Sequence, residues 1–340
     1  MARVYFEPIG EEIECEDDET VLDAAFRQGY SLAYGCREGQ CSACKCFLLE
    51  GDVSLKRYST FALSDAEESS GYTLLCRAMP DSDLTVELLH VPDNYRLEHD
   101  IINGRCTVVS SERLTHDIHH LVLAVEEPSG FEFTPGQYLD LHVPDTDLCR
   151  SFSMASLPGN GHVEFLIRSY PDGAFSNLLT AGLEPGTPIA FTGPYGSFRL
   201  AETDRDILMV AGGSGMAPVL ALLRQLAEQG GQRKVRFFYG ARTSADLFHR
   251  DVVEELGSRL ADFAYTEVLS DPDGAEWSGA TGFVHEVASQ ALASGELSEA
   301  EVYTCGPPPM IDALVDALTT VHGVDEGDIA YDKFTTSVSA

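Results

Sequence analysis

The 340 residues read as a multidomain chain of α+β and α/β class. Three observations predict this. Near the start, Cys36, Cys41, Cys44 and Cys76 stand among short strand-like runs and one helical run. A middle stretch strings together short apolar or alternating runs parted by Pro and Gly turns, the pattern of a small antiparallel barrel. The last stretch alternates strands with helices, which argues a doubly wound parallel sheet. A chain of this length accommodates two or three domains, and the changes of pattern set them at residues 1–97, 98–202 and 203–340.

In the first segment Val4–Phe6 and Leu84–Leu88 are expected strands. Thr20–Gln28 is an expected helix, with Thr20 as its N-cap and Gly29 closing it. Val91–Asn94, with its proline, begins the linker. The cysteine spacing, Cys-x4-Cys-x2-Cys with a distant fourth, matches a plant-type [2Fe–2S] ferredoxin. Zinc sites instead pair their ligands as two short knuckles. Gly35, Gly39, Ser42 and Ala43 are small enough for the loop to wrap a cluster and turn backbone N–H groups toward its sulfurs. Tyr72–Arg77, an apolar strand-like run, brings Cys76 back to that loop, and Cys46 is read as a bystander thiol. A centre of this kind moves one electron at a time, so electron transfer is the first functional expectation.

The middle segment offers strands at Cys106–Val109, His120–Val125, Tyr138–Val143, Val163–Ile167 and Pro188–Phe191, with one helix at Ala174–Leu179. In the last, strand Ile207–Ala211 enters Gly212–Gly215 and a helix from Pro218 to Gln229. Strand Val235–Tyr239, helix Leu247–Leu256, strand Phe263–Leu269, strand Val302–Cys305 and helix Met310–Leu318 follow. A glycine turn between a strand and a helix is a natural diphosphate site, because backbone N–H groups and the helix N-terminus both face the anion. The turn here departs from the usual Gly-x-Gly-x-x-Gly.

The formal charge is −33, from 55 acidic and 22 basic residues. Phosphate neutralisation needs clustered Lys and Arg, so nucleic acid is not an expected partner. Acidic runs at Glu11–Glu19 and Asp65–Glu68 serve solubility, or steer the chain toward a basic patch on an electron acceptor. No stretch has the length of apolar residues that a membrane helix needs, and the N-terminal residues lack a signal-peptide pattern. The expectation is a cytoplasmic protein whose cysteines stay reduced.

Further runs carry a resemblance. Pro135–Tyr138, Arg150–Ser153, Gly173–Ser176, Gly193–Phe198, Gly212–Pro218 and Cys305–Met310, in that order, resemble the flavin and pyridine-nucleotide marks of the ferredoxin–NADP reductase superfamily. With Gly35–Lys45, Leu74–Arg77, Arg150–Ser156, Glu164–Ser176, Val210–Val219 and Tyr303–Asp312, the chain is similar to the reductase component of a soluble di-iron monooxygenase. That resemblance implies a β-grasp ferredoxin domain, an antiparallel β-barrel FAD domain and a doubly wound parallel-sheet NAD domain. It also implies electron flow from NADH through FAD and a [2Fe–2S] cluster to a di-iron hydroxylase. Cys36, Cys41, Cys44 and Cys76 would be the metal ligands, and Ser153 and Cys305 the catalytic residues.

Arg150 would neutralise the FAD diphosphate, Ser153 would bond near flavin N5, and Gly173 and Ser176 would give the diphosphate further donors. Ser151, Phe152, Ile167 and Arg168 complete the implied flavin set, with Phe152 standing where the family usually has Tyr. Gly212, Gly213, Gly215 and Pro218 would shape the dinucleotide cradle, Cys305 and Gly306 the meeting place of nicotinamide and flavin, and Phe334 a cover for the flavin. NADH is favoured over NADPH, because Arg242 is the one candidate for a 2′-phosphate and Ser270–Gly274 is acidic. Two alternatives stand beside this reading: the reductase of a Rieske ring-hydroxylating dioxygenase, and an iron–sulfur sensor without turnover.

Overall fold

A computed structural model describes residues 1–92, 94–272, 277–297 and 299–334. Asp93 of the expected linker, and Asp273 and Gly274 of the acidic segment, lie outside the described residues. The chain divides into two compact units, one over Met1–Ile101 and one over Ile102–Phe334.

The first unit runs β1 (Ala2–Glu7), β2 (Glu11–Cys15), α1 (Val21–Arg27), β3 (Lys45–Glu50), β4 (Val53–Leu55), α2 (Asp65–Ser69), β5 (Tyr72–Leu74), β6 (Ala78–Pro80) and β7 (Leu84–Leu88). Its main sheet has the order β2-β1-β7-β3-β5, with β1 and β7 parallel and every other pair antiparallel, a β-grasp sheet. Helix α1 starts where Thr20 Oγ1 accepts the Asp23 N–H at 3.2 Å. Five of its seven residues, Val21, Leu22, Ala24, Ala25 and Phe26, are buried. Gly29, with φ +82°, takes the left-handed position just beyond it.

The acidic run conceals a strand. In β2, Ile13 and Cys15 face the core while Glu12 and Glu14 face solvent, the period of two that a half-buried strand requires. A second helix, α2, also departs from expectation; a capping box between Ser64 and Glu67 starts it.

The second unit opens with β8 (Ile102–Arg113), β9 (Ile118–Glu127), β10 (Tyr138–His142), β11 (Cys149–Ser153), β12 (His162–Arg168), α3 (Ala174–Ala181) and β13 (Pro188–Tyr195). These strands form one antiparallel sheet in the order β11-β10-β13-β8-β9-β12. A bridge between Met154 and Phe165 brings the end beyond β11 back to β12, so the sheet curls almost into a barrel. Leu121, Leu123, Phe165, Ile189 and Phe191 fill it.

The chain continues with β14 (Ile207–Gly212), α4 (Met216–Gln229), β15 (Lys234–Ala241), α5 (Arg250–Gly257), β16 (Asp262–Leu269), β17 (Ala280–Thr281), α6 (Val284–Ala293), β18 (Glu301–Gly306), α7 (Pro308–Asp316) and β19 (Ile329–Lys333). The sheet is parallel throughout, in the order β17-β16-β15-β14-β18-β19. Strand β14 is buried on both faces, as a central parallel strand must be. Ile207, Met209 and Ala211 pack with residues of α4 and α5, and Leu208 and Val210 with residues of α6 and α7. Helix α5 begins at Arg250 rather than Leu247, because Leu247 is extended and His249, with φ +57°, is its N-cap. No helix among the described residues is long and apolar enough to cross a membrane.

Barrel and parallel sheet share a core: Ile118, Ala155, Leu166 and Phe198 of the barrel region cluster with Met209, Met216 and Leu220. A polar group borders it. Glu164 on β12 lies 3.3 Å from His120 Nε2 and accepts a 3.0 Å hydrogen bond from Arg224 of α4, which also donates to the Ala155 carbonyl at 2.9 Å. The His249 ring stands edge-on to His120, centroids 5.6 Å apart, and burial drops its pKa to about 4.

Hydrogen bonding from His120, then the nearby Arg224, lowers the Glu164 pKa to about 2. A depressed carboxylate stabilises the fold above its unfolded pKa, and that stability is lost as pH falls through the folded value. Glu164→Gln should therefore cost about 1–3 kcal/mol at neutral pH. Its urea midpoint should also fall less than that of the unmodified chain as pH is lowered from about 4.5 to about 2.

Candidate functional site

The cysteines of the first unit approach in two pairs. Cys44 Sγ and Cys76 Sγ are 3.2 Å apart, and the Cys36 N–H lies 3.3 Å from Cys41 Sγ. Cys36 Sγ accepts the N–H groups of Gln40 at 3.2 Å and Glu38 at 3.4 Å. A hydrogen bond from Cys41 and those N–H groups pull the Cys36 thiol below its ordinary range. Among the described residues no three His, Cys, Asp or Glu side chains gather round one ion position.

The loop is tight. A Cβ on Gly39, whose φ is +70°, would stand 2.8 Å from Tyr58 Cβ and 2.9 Å from Arg77 Cγ. Strand β5 ends at Leu74, so Cys76 lies in the turn after the strand and not within it; the Leu75 N–H donates to the Cys44 carbonyl at 3.1 Å. Cys46 is fully buried on β3, and burial raises its thiol pKa. Two thiol pairs with N–H groups aimed at sulfur fit a [2Fe–2S] cluster, which carries sulfide as well as iron.

In the barrel, β11 carries Arg150, Ser151, Phe152 and Ser153. Arg150 Nη1 donates to the Cys149 carbonyl at 2.7 Å, and the Ser151 hydroxyl to Asp140 Oδ1 at 2.6 Å. The Phe152 ring lies 4.9 Å from that of Phe175, which sets this strand beside α3. Ser153 is buried opposite Tyr138. Helix α3 starts at Gly173 without a side-chain cap, so its first N–H groups suit an anion. A Cβ at Gly173 would stand 2.7 Å from Ser176 Oγ, which accepts the Tyr170 N–H at 3.0 Å. A guanidinium strand beside an uncapped helix start fits a flavin diphosphate. Ile167 corrects the expectation for it: with Val163 and Phe165 its side chain fills the barrel core, which leaves its backbone alone for any ligand.

A cleft of about 590 Å³ opens at the carboxyl ends of β14, β15 and β16. That is where the chain order reverses, β14 lying between β15 and β18, and where open parallel sheets bind ligands. Gly212, Gly213, Arg168, Tyr239, Arg242 and Pro307 are among its lining. Gly213 has φ +58°, and the Tyr239 hydroxyl donates to its carbonyl at 3.2 Å. A Cβ on Gly213 would come no nearer than 3.6 Å, to Arg168 Nη1, while Arg168 Nε bonds Asp117 at 2.6 Å.

The other glycines serve packing. A Cβ at Gly215 would stand 2.2 Å from the Cys305 carbonyl oxygen, one at Gly212 2.9 Å from Met310 Sδ, and one at Gly306 2.8 Å from the Gly212 carbonyl oxygen. Pro218 is buried in the first turn of α4. Cys305 is a second correction. Its side chain is fully buried in the core with Tyr303 and α4, burial raises its pKa, and its thiol does not line the cleft. Phe334 packs on that core and donates its N–H to the Gly306 carbonyl at 3.0 Å.

Residues that went unnoticed in the sequence complete the lining. His116 and Asp117, from the turn between β8 and β9, reach the cleft, and His116 Nδ1 lies 3.2 Å from Asp246. Thr115 holds this turn through the Asp117 and Ile118 N–H groups. The Thr-x-Asp pattern was the available signal.

Comparison with known proteins gives three family matches: a 2Fe-2S iron-sulfur cluster binding domain over residues 4–81, an oxidoreductase FAD-binding domain over 105–200 and an oxidoreductase NAD-binding domain over 209–316. The reductase component of propane 2-monooxygenase from Rhodococcus jostii is 48% identical, over 98% of this chain and 91% of that protein. The toluate 1,2-dioxygenase electron transfer component of Pseudomonas putida is 35% identical over 96% and 95%. Among solved structures, the Amycolatopsis cytochrome P450 reductase GcoB superposes with a TM-score of 0.89 at 28% identity, covering 99% of this chain and all of that one.

The Gly215 contact predicts that Gly215→Ala destabilises the second unit by about 1–3 kcal/mol, the usual cost of overpacking. Thermal unfolding checks it; an unchanged midpoint would show that the crossing has room to spare.

Proposed function

Because the chain belongs to the oxygenase reductase components that join a [2Fe–2S] domain to FAD- and NAD-binding domains, we propose that it serves the di-iron hydroxylase of a soluble alkane monooxygenase. The family's activity is NADH-dependent electron transfer through FAD and the cluster; the acceptor is our inference. The 48% identity to a propane 2-monooxygenase reductase component along nearly the whole chain carries it, against 35% to the toluate dioxygenase component. A Rieske oxygenase as acceptor is the second reading, and mixing the chain with each purified oxygenase separates them. No disulfide joins any of the nine cysteines, which suits a reducing cytoplasm.

FAD, when bound, would supply hydride acceptance, and the cluster would supply one-electron transfer. The chain binds and orients. Arg150 neutralises the FAD diphosphate, helped by Gly173, Ser176 and the uncapped start of α3. Ser153 offers its hydroxyl toward flavin N5, Phe152 packs beside the ring system, and Phe334 covers a flavin face. Gly213 and the first turn of α4, which has no side-chain cap, receive the dinucleotide diphosphate. Arg168, oriented by Asp117, adds positive charge at that turn. Cys36, Cys41, Cys44 and Cys76 hold the cluster. These tasks fall to the segments 1–97, 98–202 and 203–340, although the first compact unit runs on to Ile101.

NADH is the electron donor we favour. Arg242 reaches the cleft, but Asp246 lines it too, and its carboxylate opposes a 2′-phosphate.

Cys76→Ser should remove most bound iron and sulfide while FAD is retained, whereas Cys46→Ala should keep both; iron, sulfide and flavin analyses of the purified variants decide. Steady-state kinetics should give a kcat/KM for NADH at least about tenfold above that for NADPH. The reverse preference would place the 2′-phosphate on Arg242.

A further inference from the structure

Arg77 directly follows Cys76, and its side chain turns back across the cysteine loop. A Cβ at Gly39 would stand 2.9 Å from its Cγ and 3.1 Å from its Cδ, so the methylenes lie on that glycine. The neighbours of Gly39 on either side, Glu38 and Gln40, are the residues whose N–H groups meet Cys36 Sγ. Beyond the methylenes, Nη1 points to the Arg37 carbonyl at 3.5 Å. Backbone contacts fix where the side chain begins. The Arg77 N–H donates to the Leu74 carbonyl at 2.8 Å, and its carbonyl accepts the Lys56 N–H at 2.9 Å. A single side chain thus runs from the fourth cysteine to the loop of the first.

Its charge is unanswered. Arg168, Arg224 and Arg233 are half-buried, and each meets a carboxylate, of Asp117, Glu164 and Glu301 in turn. Arg77 is half-buried too, yet its Nε is buried with no hydrogen-bond partner among the described residues. Glu38, the acidic residue of the loop, is exposed. A buried charged donor without a partner is costly, unless an anion comes to lie beside it. Thiolate and sulfide ligands leave a [2Fe–2S] centre negative, and reduction adds one further negative charge. A guanidinium keeps its own charge throughout, so in this loop it favours the reduced form over the oxidised one.

We propose that Arg77 sets the reduction potential of the cluster, by holding a permanent positive charge inside the cysteine loop. This rests on the cluster assigned above to Cys36, Cys41, Cys44 and Cys76. The methylenes on Gly39 keep the guanidinium in place, and its charge makes the cluster the better electron acceptor.

The test is an anaerobic redox titration of the full, cofactor-loaded chain, with the reduced cluster followed by electron paramagnetic resonance. Arg77→Met keeps the methylenes and removes the charge. At the midpoint of the unmodified chain, its ratio of reduced to oxidised cluster should be lower by at least about threefold. Arg77→Lys, which keeps the charge, should stay closer to the unmodified ratio. Arg57→Met removes an exposed positive charge, screened by solvent, and should leave the ratio unchanged. Iron and sulfide contents should be equal in all four proteins. An unshifted Arg77→Met overturns the proposal, and so does an Arg77→Lys shifted as far as Arg77→Met. An equal shift in Arg57→Met overturns it as well, since net charge would then set the potential. Loss of iron and sulfide from Arg77→Met would make the side chain a structural clasp, which also overturns it. An unmodified chain that holds no iron or sulfide would bring down the cluster assignment itself, which the other outcomes leave standing.

Discussion

The second unit depends on one backbone crossing, where the turn after β14 meets the end of β18. Gly215 lies against the Cys305 carbonyl and Gly306 against that of Gly212, with no space for a methyl group between the chains. That contact seats the start of α4 against the end of β18, while Gly212 and Gly213 line the cleft. The hydroxyl of buried Tyr239 donates to the Gly213 carbonyl and so holds the turn. Phe334 is tied to the same place through Gly306. The turn proposed to receive an anion is thus shaped by backbone, with side chains excluded where they would obstruct it.

The barrel is joined to this arrangement through apolar and polar contacts together. Ala155 follows the strand of Arg150 and Ser153, and its carbonyl accepts from Arg224, a residue of the helix that begins at the glycine turn. The strand proposed for the flavin and the helix proposed for the dinucleotide are therefore linked by a single side chain. Glu164 closes the group by pairing with Arg224 and His120, and so leaves no uncompensated charge at that depth.

Much of this was legible, for local reasons. Ligand spacing is a short-range property, so the cysteine loop could be read directly, and β14 announced itself as five apolar residues before glycines. What stayed hidden is non-local or disguised. Strand β11 is polar, because Ser151 pairs with buried Asp140 and Arg150 remains available. Strand β2 was obscured by its outward glutamates, and the His116–Asp246 approach joins residues far apart in sequence. The side chains of Cys305 and Ile167 turn inward for a shared reason. Each belongs to a motif whose backbone matters, while strand alternation sends its side chain into the core: Cys305 with Tyr303, Ile167 with Phe165. The run Val163, Phe165, Ile167 already showed that period.

One core common to barrel and parallel sheet has a consequence for how such chains diversify. Neither half of the second unit can be removed without exposing the other's apolar surface, so the two halves stand or fall together. The first unit completes its own interior with Val4, Phe6, Leu22 and Leu74. Substitutions that reshape its surface need not disturb the core that barrel and parallel sheet hold in common.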